Sequence, residues 1–141
     1  MAFFRYMIEL NKPIEERAVF VGIIRPSDDE RKVNEYLDEL EFLAETAGAT
    51  GDRKFTQRLE RPDNATYIKS GKLEEISAYC EENGISWCIF DDELTGMQQR
   101  NIEKVISCSH IIDRTSLILE IFAQRAKTSY AKMQVELARY N

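Results

Sequence analysis

The chain has 141 residues, enough for one domain with a real core, and 43% of them are apolar, which excludes a disordered segment. Its net charge of -6 excludes a uniformly basic nucleic-acid binder. The three cysteines, Cys80, Cys88 and Cys108, lack metal-ligand spacing and sit in apolar stretches, as expected of buried, reduced thiols in a cytosolic protein.

Met1 to Leu10 carries Phe3, Phe4, Tyr6 and Met7 but is interrupted by Arg5 and Glu9. It is too short and too charged for a signal peptide, and no other segment approaches membrane length, so a soluble cytoplasmic protein is expected. Ala18 to Ile24 is an unbroken apolar run of the kind a parallel strand buried on both faces requires. Arg25-Pro26-Ser27 breaks it, and Ser27 with Glu30 forms a capping box. Val33, Leu37, Leu40, Leu43 and Ala47 then recur at helical spacing up to Gly48, the expected C′ residue. A second strand is predicted within Lys54 to Arg58. Ser70 can cap a helix with an inner face of Leu73, Ile76 and Cys80, closed by Gly84. Ser86 to Phe90 reads as another buried strand, ending at Asp91-Asp92-Glu93. Thr95 and Gln98 form a second capping box, opening a helix through Val105. His110 to Ile112 is a last short strand, ending at Asp113.

This alternation predicts an α/β fold: a mostly parallel sheet of about four strands with crossover helices. From Thr115 onward Gly and Pro are absent, and Leu119, Phe122, Ala126, Tyr130, Met133, Leu137 and Tyr140 step by three or four. That stripe would be about 40 Å long as a continuous helix. Its length suggests one member of a helical pair or coiled coil whose partner is missing, so a truncated or fragmentary chain is expected, with self-association through this helix as one outcome. The expected organisation is an N-terminal extension over 1–16, an α/β subdomain over 17–114 and the start of a helical subdomain over 115–141.

Three constellations could carry chemistry. Ser70-Gly71-Lys72 looks like the end of a phosphate-binding loop, but Thr66 stands where that loop needs glycine and Leu73 where it needs a magnesium-binding hydroxyl. Asp91-Asp92 follow a strand at its carboxyl end and could hold magnesium with Asp113, as in a receiver domain. No lysine ends a later strand, and a polar turn leading into the Thr95 cap fits better. His110, the single histidine, precedes apolar strand residues and reads as a packed or edge histidine rather than a general base. No catalytic residue, bound cofactor or metal site is assigned. The third constellation is electrostatic. From Asp28 to Glu45 there are eight acids and two bases, whereas Arg53, Lys54, Arg58, Arg61, Lys69 and Lys72 form a basic run with Tyr67 inside it. With the acids on the first helix, this run is left as a local positive patch. It could be a solvated loop or a surface for phosphate and base contact in structured RNA. Arg125, Lys127, Lys132 and Arg139 on the terminal helix carry the same reading more weakly.

Five collinear segments resemble the N-terminal domain of the HflX family of ribosome-associated GTPases. They are Glu45 to Ala49, Arg61 to Ile76, Ile89 to Leu94 with Gln99-Arg100-Asn101, Asp113 to Ala126, and Gln134 to Ala138, within a similarity spanning Arg17 to Asn141. The family usually has Pro at Asn64, Gly at Lys69 and Glu-Gly-Lys at Tyr130-Ala131-Lys132. The resemblance implies an α/β subdomain and a long helical pair, followed in the family by a P-loop domain that uses GTP and Mg2+. It further implies cytoplasmic, ribosome-associated action in which the large ribosomal subunit and its rRNA are bound and stalled ribosomes are split or rescued. It turns the basic residues, Arg58, Arg61, Lys69, Lys72, Arg125 and Lys127, into RNA-binding candidates. The alternative is a free-standing α/β ligand-binding or receiver-like regulatory domain with the acidic pair at its sheet edge. Calorimetric titration of this chain with GTP and magnesium is expected to give no saturable heat; a micromolar, magnesium-dependent site would contradict the mismatch at Thr66 and Leu73.

Overall fold

The computed structural model describes residues 16–139, in the order β1 (Glu16–Ile24), α1 (Glu30–Thr46), β2 (Ala49–Arg58), α2 (Ser70–Asn83), β3 (Trp87–Phe90), α3 (Gly96–Glu103), β4 (His110–Asp113) and α4 (Arg114–Arg139). Apart from Glu16, the N-terminal extension lies outside the described residues, as does Tyr140. The strands form one sheet in the order β2-β1-β3-β4, parallel throughout, so the α/β architecture is as the alternating pattern predicts.

The chain starts at β1, steps outward to β2, then crosses back over β1 to β3 and on to β4. Parallel crossovers keep one hand, so this reversal sends α1 to one face of the sheet and α2 and α3 to the other. Leu37, Leu40 and Ala44 of α1 pack with Leu117 and Ile121 of α4 over Ala18, Phe20, Trp87 and Ile89. On the opposite face, Leu73, Ile76 and Cys80 of α2 and Ile102 of α3 cover Val19, Val21, Ile23, Cys88 and Phe90. Alternate residues of β1 serve opposite cores because strand side chains have a period of two. Every residue from Ala18 to Ile24 is buried.

Several boundaries differ from the sequence expectation. Asp29, not Ser27, caps α1: its Oδ1 accepts from the Arg31 N–H at 2.9 Å. Ser27 instead lies in a turn closed by the Asp28 N–H on the Arg25 carbonyl at 2.9 Å. The Asp28-Asp29 pair offers the helix a cap two residues later than the Ser27 box. Ser70 is the first residue of α2 rather than its cap; Lys69 stands at the cap without a side-chain bond, its N–H donating to the Gln57 side chain at 2.9 Å. β2 begins at Ala49, five residues before the predicted strand. Its first half, Ala-Thr-Gly-Asp-Arg, lacks the apolar alternation of a strand and contains a register shift opposite Ala18 and Val19 that leaves Asp52 as the extra residue. The Thr95–Gln98 box is present in both directions, although α3 stops at Glu103, two residues short of Val105. Gly48 and Gly84, at φ 99 and 60, end α1 and α2 in the left-handed region that favours glycine. α4 runs unbroken through Ser129.

Leu37 sits at the centre of the α1 core and is fully buried. Replacing it with alanine is expected to destabilise the domain by about 2–5 kcal/mol, read as a lower urea midpoint with an unchanged slope.

Candidate nucleic-acid interface

The segment from Arg61 to Lys69 leaves β2 and enters α2 as a tightly held loop. The Asp63 and Tyr67 backbones exchange two hydrogen bonds of 2.9 Å, closing a small antiparallel bridge. Inside it, Asp63 Oδ1 accepts from the Ala65 N–H at 2.8 Å and the Thr66 N–H at 3.2 Å. Those amide donors, the Ala65 one first, outweigh the burial that works against them and, with Lys69, hold the Asp63 carboxyl below its ordinary pKa. From α3, Gln98 donates to the Asp63 carbonyl at 2.8 Å and Asn101 to the Ala65 carbonyl at 3.0 Å. Tyr67 adopts φ 67, a left-handed conformation costly for a bulky residue. It is held there by burial, by edge-on packing against Phe90 with centroids 5.5 Å apart, and by a 2.6 Å hydrogen bond from its hydroxyl to Asp92. Burial first, then the Asp92 carboxylate, keeps this phenol protonated. Asn64 and Ala65 are left exposed at the tip of this loop, and Arg61 is exposed on the bend that leads into it.

The basic candidates fall into two groups. α1 packs beside β2, so its acids reach the run expected to form an open positive patch. Asp38 and Glu41 hold Lys54 at 2.9 and 3.6 Å, and Glu30 holds Arg58 at 2.5 Å. Lys69 lies 3.3 Å from Asp63, and Lys72 lies 3.0 Å from Glu75. Arg53 spreads over the Phe55 and Tyr79 rings. The local patch is therefore smaller than the sequence suggests, because crossover packing sets the acid-rich helix against the basic strand. Arg61, Arg125 and Lys127 are exposed, and none has a recorded ion pair among the described residues. Arg61 stands on the bend before the Asp63–Tyr67 loop and the other two on α4, so the structure separates candidates that the sequence grouped only by charge.

The acidic pair has a different setting. A cleft of about 370 Å³ opens at the carboxyl ends of β1 and β3, the two strands between which the chain reverses direction. Asp91 accepts from Arg114 at 2.6 and 2.9 Å, and Asp92 lies 3.3 Å from Arg25. Arg114 also donates to the Tyr36 carbonyl at 2.7 Å, tying the start of α4 to α1. A magnesium ion here would have to displace two guanidiniums, and among the described residues no cluster of three or more His, Cys, Asp or Glu could hold a metal ion. Asp113 is engaged elsewhere: its carboxylate accepts from the Leu94 N–H at 3.0 Å and the Ser116 N–H at 2.9 Å, bridging β4 to the loop before α3 and to the first turn of α4. Arg25 and Arg114 were not singled out as site residues in the sequence; each directly follows a strand, and that position marks them as rim residues. His110 stacks on Trp87 with ring centroids 4.0 Å apart on the edge strand β4. Nucleotide cradling at Gly71-Lys72 does not fit either, because Leu73 is core, 2% exposed, where a metal-binding hydroxyl would stand.

Residues 34–123 match the sequence profile of the GTP-binding GTPase N-terminal family. The chain is 56% identical over 124 residues to the GTPase HflX of Flavobacterium psychrophilum, covering 88% of this chain and 30% of that protein. It is 40% identical over 124 residues to the GTPase HflX of Escherichia coli (strain K12), covering 88% of this chain and 28% of that protein. The chain thus spans less than a third of these relatives. Among solved structures it resembles a GTP-binding protein from the hyperthermophilic archaeon Sulfolobus solfataricus in complex with GDP, with a TM-score of 0.60 and 28% identity, over 89% of this chain and 36% of that one.

Burial works to raise the Asp113 pKa, but the Leu94 and Ser116 amides outweigh it and hold the value below the ordinary one. A depressed folded pKa contributes stability above the unfolded value, about 3.9, and that stability is lost as pH falls through the folded value. Asp113→Asn is therefore expected to lower stability at pH 7 by about 1–3 kcal/mol and to give a shallower acid limb than the parent, measured by urea unfolding from pH 7 down to 2.5.

Proposed function

The chain belongs to the GTP-binding GTPase N-terminal family, and from that premise we propose that it is the RNA-facing N-terminal domain of an HflX-type GTPase that binds the large ribosomal subunit and helps split or rescue stalled ribosomes. The observation that carries this reading is the exposed Arg61 on the bend that leads into the Asp63–Tyr67 loop, a loop whose backbone is bonded across itself and from α3. A preformed loop loses little entropy on binding, and an arginine beside it with no ion pair among the described residues suits a phosphate or a stacked base. Arg125 and Lys127 on α4 supply a second cationic site, and Arg58, Lys69 and Lys72 contribute only where RNA phosphate competes with their acids. Binding and hydrolysis of GTP with Mg2+ belong, in this reading, to a P-loop domain of the parent protein with which this domain works. Residues 17–114 act as the α/β subdomain and the segment from 115 as part of a helical subdomain; the protein works in the cytoplasm on ribosomes. The alternative, small-ligand binding at the sheet edge, has the cleft in its favour, but the cleft's strongest charges already satisfy one another.

In the full-length parent, Arg61→Ala, Arg125→Ala and Lys127→Ala should each weaken co-sedimentation with purified large subunits and lower the salt slope by about one per lost phosphate contact. Neutralising the exposed acids Glu35 and Glu82 should leave binding unchanged or slightly tighter. If the triple cation variant binds like the parent at moderate salt, the RNA surface lies elsewhere.

A further inference from the structure

The face of α4 that buries Leu117 and Ile121 against α1 does not end with them. Ile121, Thr128 and Val135 stand seven residues apart, so the same face continues into the exposed half of the helix. There Thr128, Ala131, Lys132 and Val135 surround a shallow hollow of about 360 Å³, with Glu136 at its edge. They occupy positions i, i+3, i+4 and i+7, the four that form a hole for an incoming side chain when one helix packs on another. Val135 is 57% exposed, so the hollow offers apolar surface to whatever enters it.

The outer face of α1 carries the matching projection. Phe42 is 69% exposed and borders a groove of about 460 Å³ walled by Asp38, Glu39, Leu43 and Arg114. From Asn34 to Thr46 this helix has five acids and no base. Glu35 with Glu39, and Glu41 with Glu45, are like-charged neighbours one turn apart, which weakens a helix. The acids of the last turns also oppose the helix dipole. A surface that breaks these local rules around an exposed phenylalanine is one that a partner completes. Its acids repel RNA phosphate and favour a cationic partner. The exposed half of α4, Phe122 to Ala138, has that chemistry: Arg125, Lys127 and Lys132 against the single acid Glu136.

We propose that two copies of this chain pair reciprocally, with Phe42 of each copy seated in the Thr128–Val135 hollow on α4 of the other. Shape and charge agree at this contact. Phe42 fills the hole, Lys132 on its wall meets Asp38 and Glu39, and Glu136 meets Arg114. The contact lies between molecules, because α4 is helical without a break from Arg114 to Arg139 and so does not turn its distal half back onto its own α1. A two-fold axis makes the contact twice, which doubles the buried surface. Phe122, Tyr130, Met133 and Leu137 lie on the opposite side of α4 and are left free by this pairing. The pairing goes beyond the RNA reading and is tested without nucleic acid.

Sedimentation equilibrium of the 141-residue chain at rising concentration, up to about 0.5 mM, reads the pairing as a doubling of mass that weakens with salt. Phe42→Ser and Ala131→Glu, both at exposed positions, should each raise the dissociation constant at least about tenfold with an unchanged far-UV circular dichroism spectrum. Lys132→Glu should weaken the pairing, and adding Glu39→Lys to the same chain should restore it, since the reversed charges then meet at both contacts. Met133→Glu should pair like the parent. A chain that stays monomeric throughout, a dimer that survives Phe42→Ser, a charge-reversed double variant that does not recover, or a dimer lost in Met133→Glu would each overturn the proposal.

Discussion

Burial of β1 on both of its faces is the constraint on which the rest of this structure depends. A strand that has no polar face must sit inside a sheet, not at its edge, and must have helices above and below it. β1 meets both demands: it pairs with β2 on one side and β3 on the other, and the seven residues from Ala18 to Ile24 are buried. Once β1 is central, the chain must build outward in one direction and then reverse. That reversal assigns α1 to one face and α2 and α3 to the other, and it opens the cleft where β1 and β3 diverge.

The same arrangement governs the electrostatics. α1 carries most of an acid-rich stretch and packs beside β2, which carries part of the basic run, so much of the local charge is spent in short-range pairs such as Lys54 with Asp38 and Arg58 with Glu30. Pairs this exposed add little stability. Their effect is on the field: a basic segment becomes close to neutral, and cations without acid neighbours stand out. At the cleft the pairing is more enclosed, with Arg114 linking β3, α1 and α4 through Asp91 and the Tyr36 carbonyl. Those contacts make the cleft a junction of elements before they make it a receptacle.

The loop from Asp63 to Tyr67 shows how local strain is offset by tertiary contact. Tyr67 in a left-handed conformation costs roughly 1–3 kcal/mol, which a free peptide of this sequence would avoid. Within the fold the side chain fills the core against Phe90 and its hydroxyl reaches Asp92, while Gln98 and Asn101 secure the backbone opposite. α4 shows the opposite case. Leu117 and Ile121 anchor its first turns, but from Phe122 to Ala138 every residue is exposed, including Tyr130, Met133 and Leu137. Among the described residues no burial reinforces its helical form there.

Sequence by itself determined the element types, the parallel α/β class, the Thr95–Gln98 cap, the two glycine stops and the family, because each depends on neighbours a few residues apart or on collinear motifs. It misplaced the α1 cap and the start of β2. Two adjacent aspartates offered competing caps, and an edge strand with Asp52 bulged out lacks a two-residue period. Tertiary structure alone decided which charges meet. Lys54 finds Asp38 and Asp91 finds Arg114 across elements whose separation along the chain carries no sign of contact. Side-chain pairing of this kind depends on crossover direction and strand order, which periodicity does not encode, so the cations left exposed became visible only once the sheet was assembled.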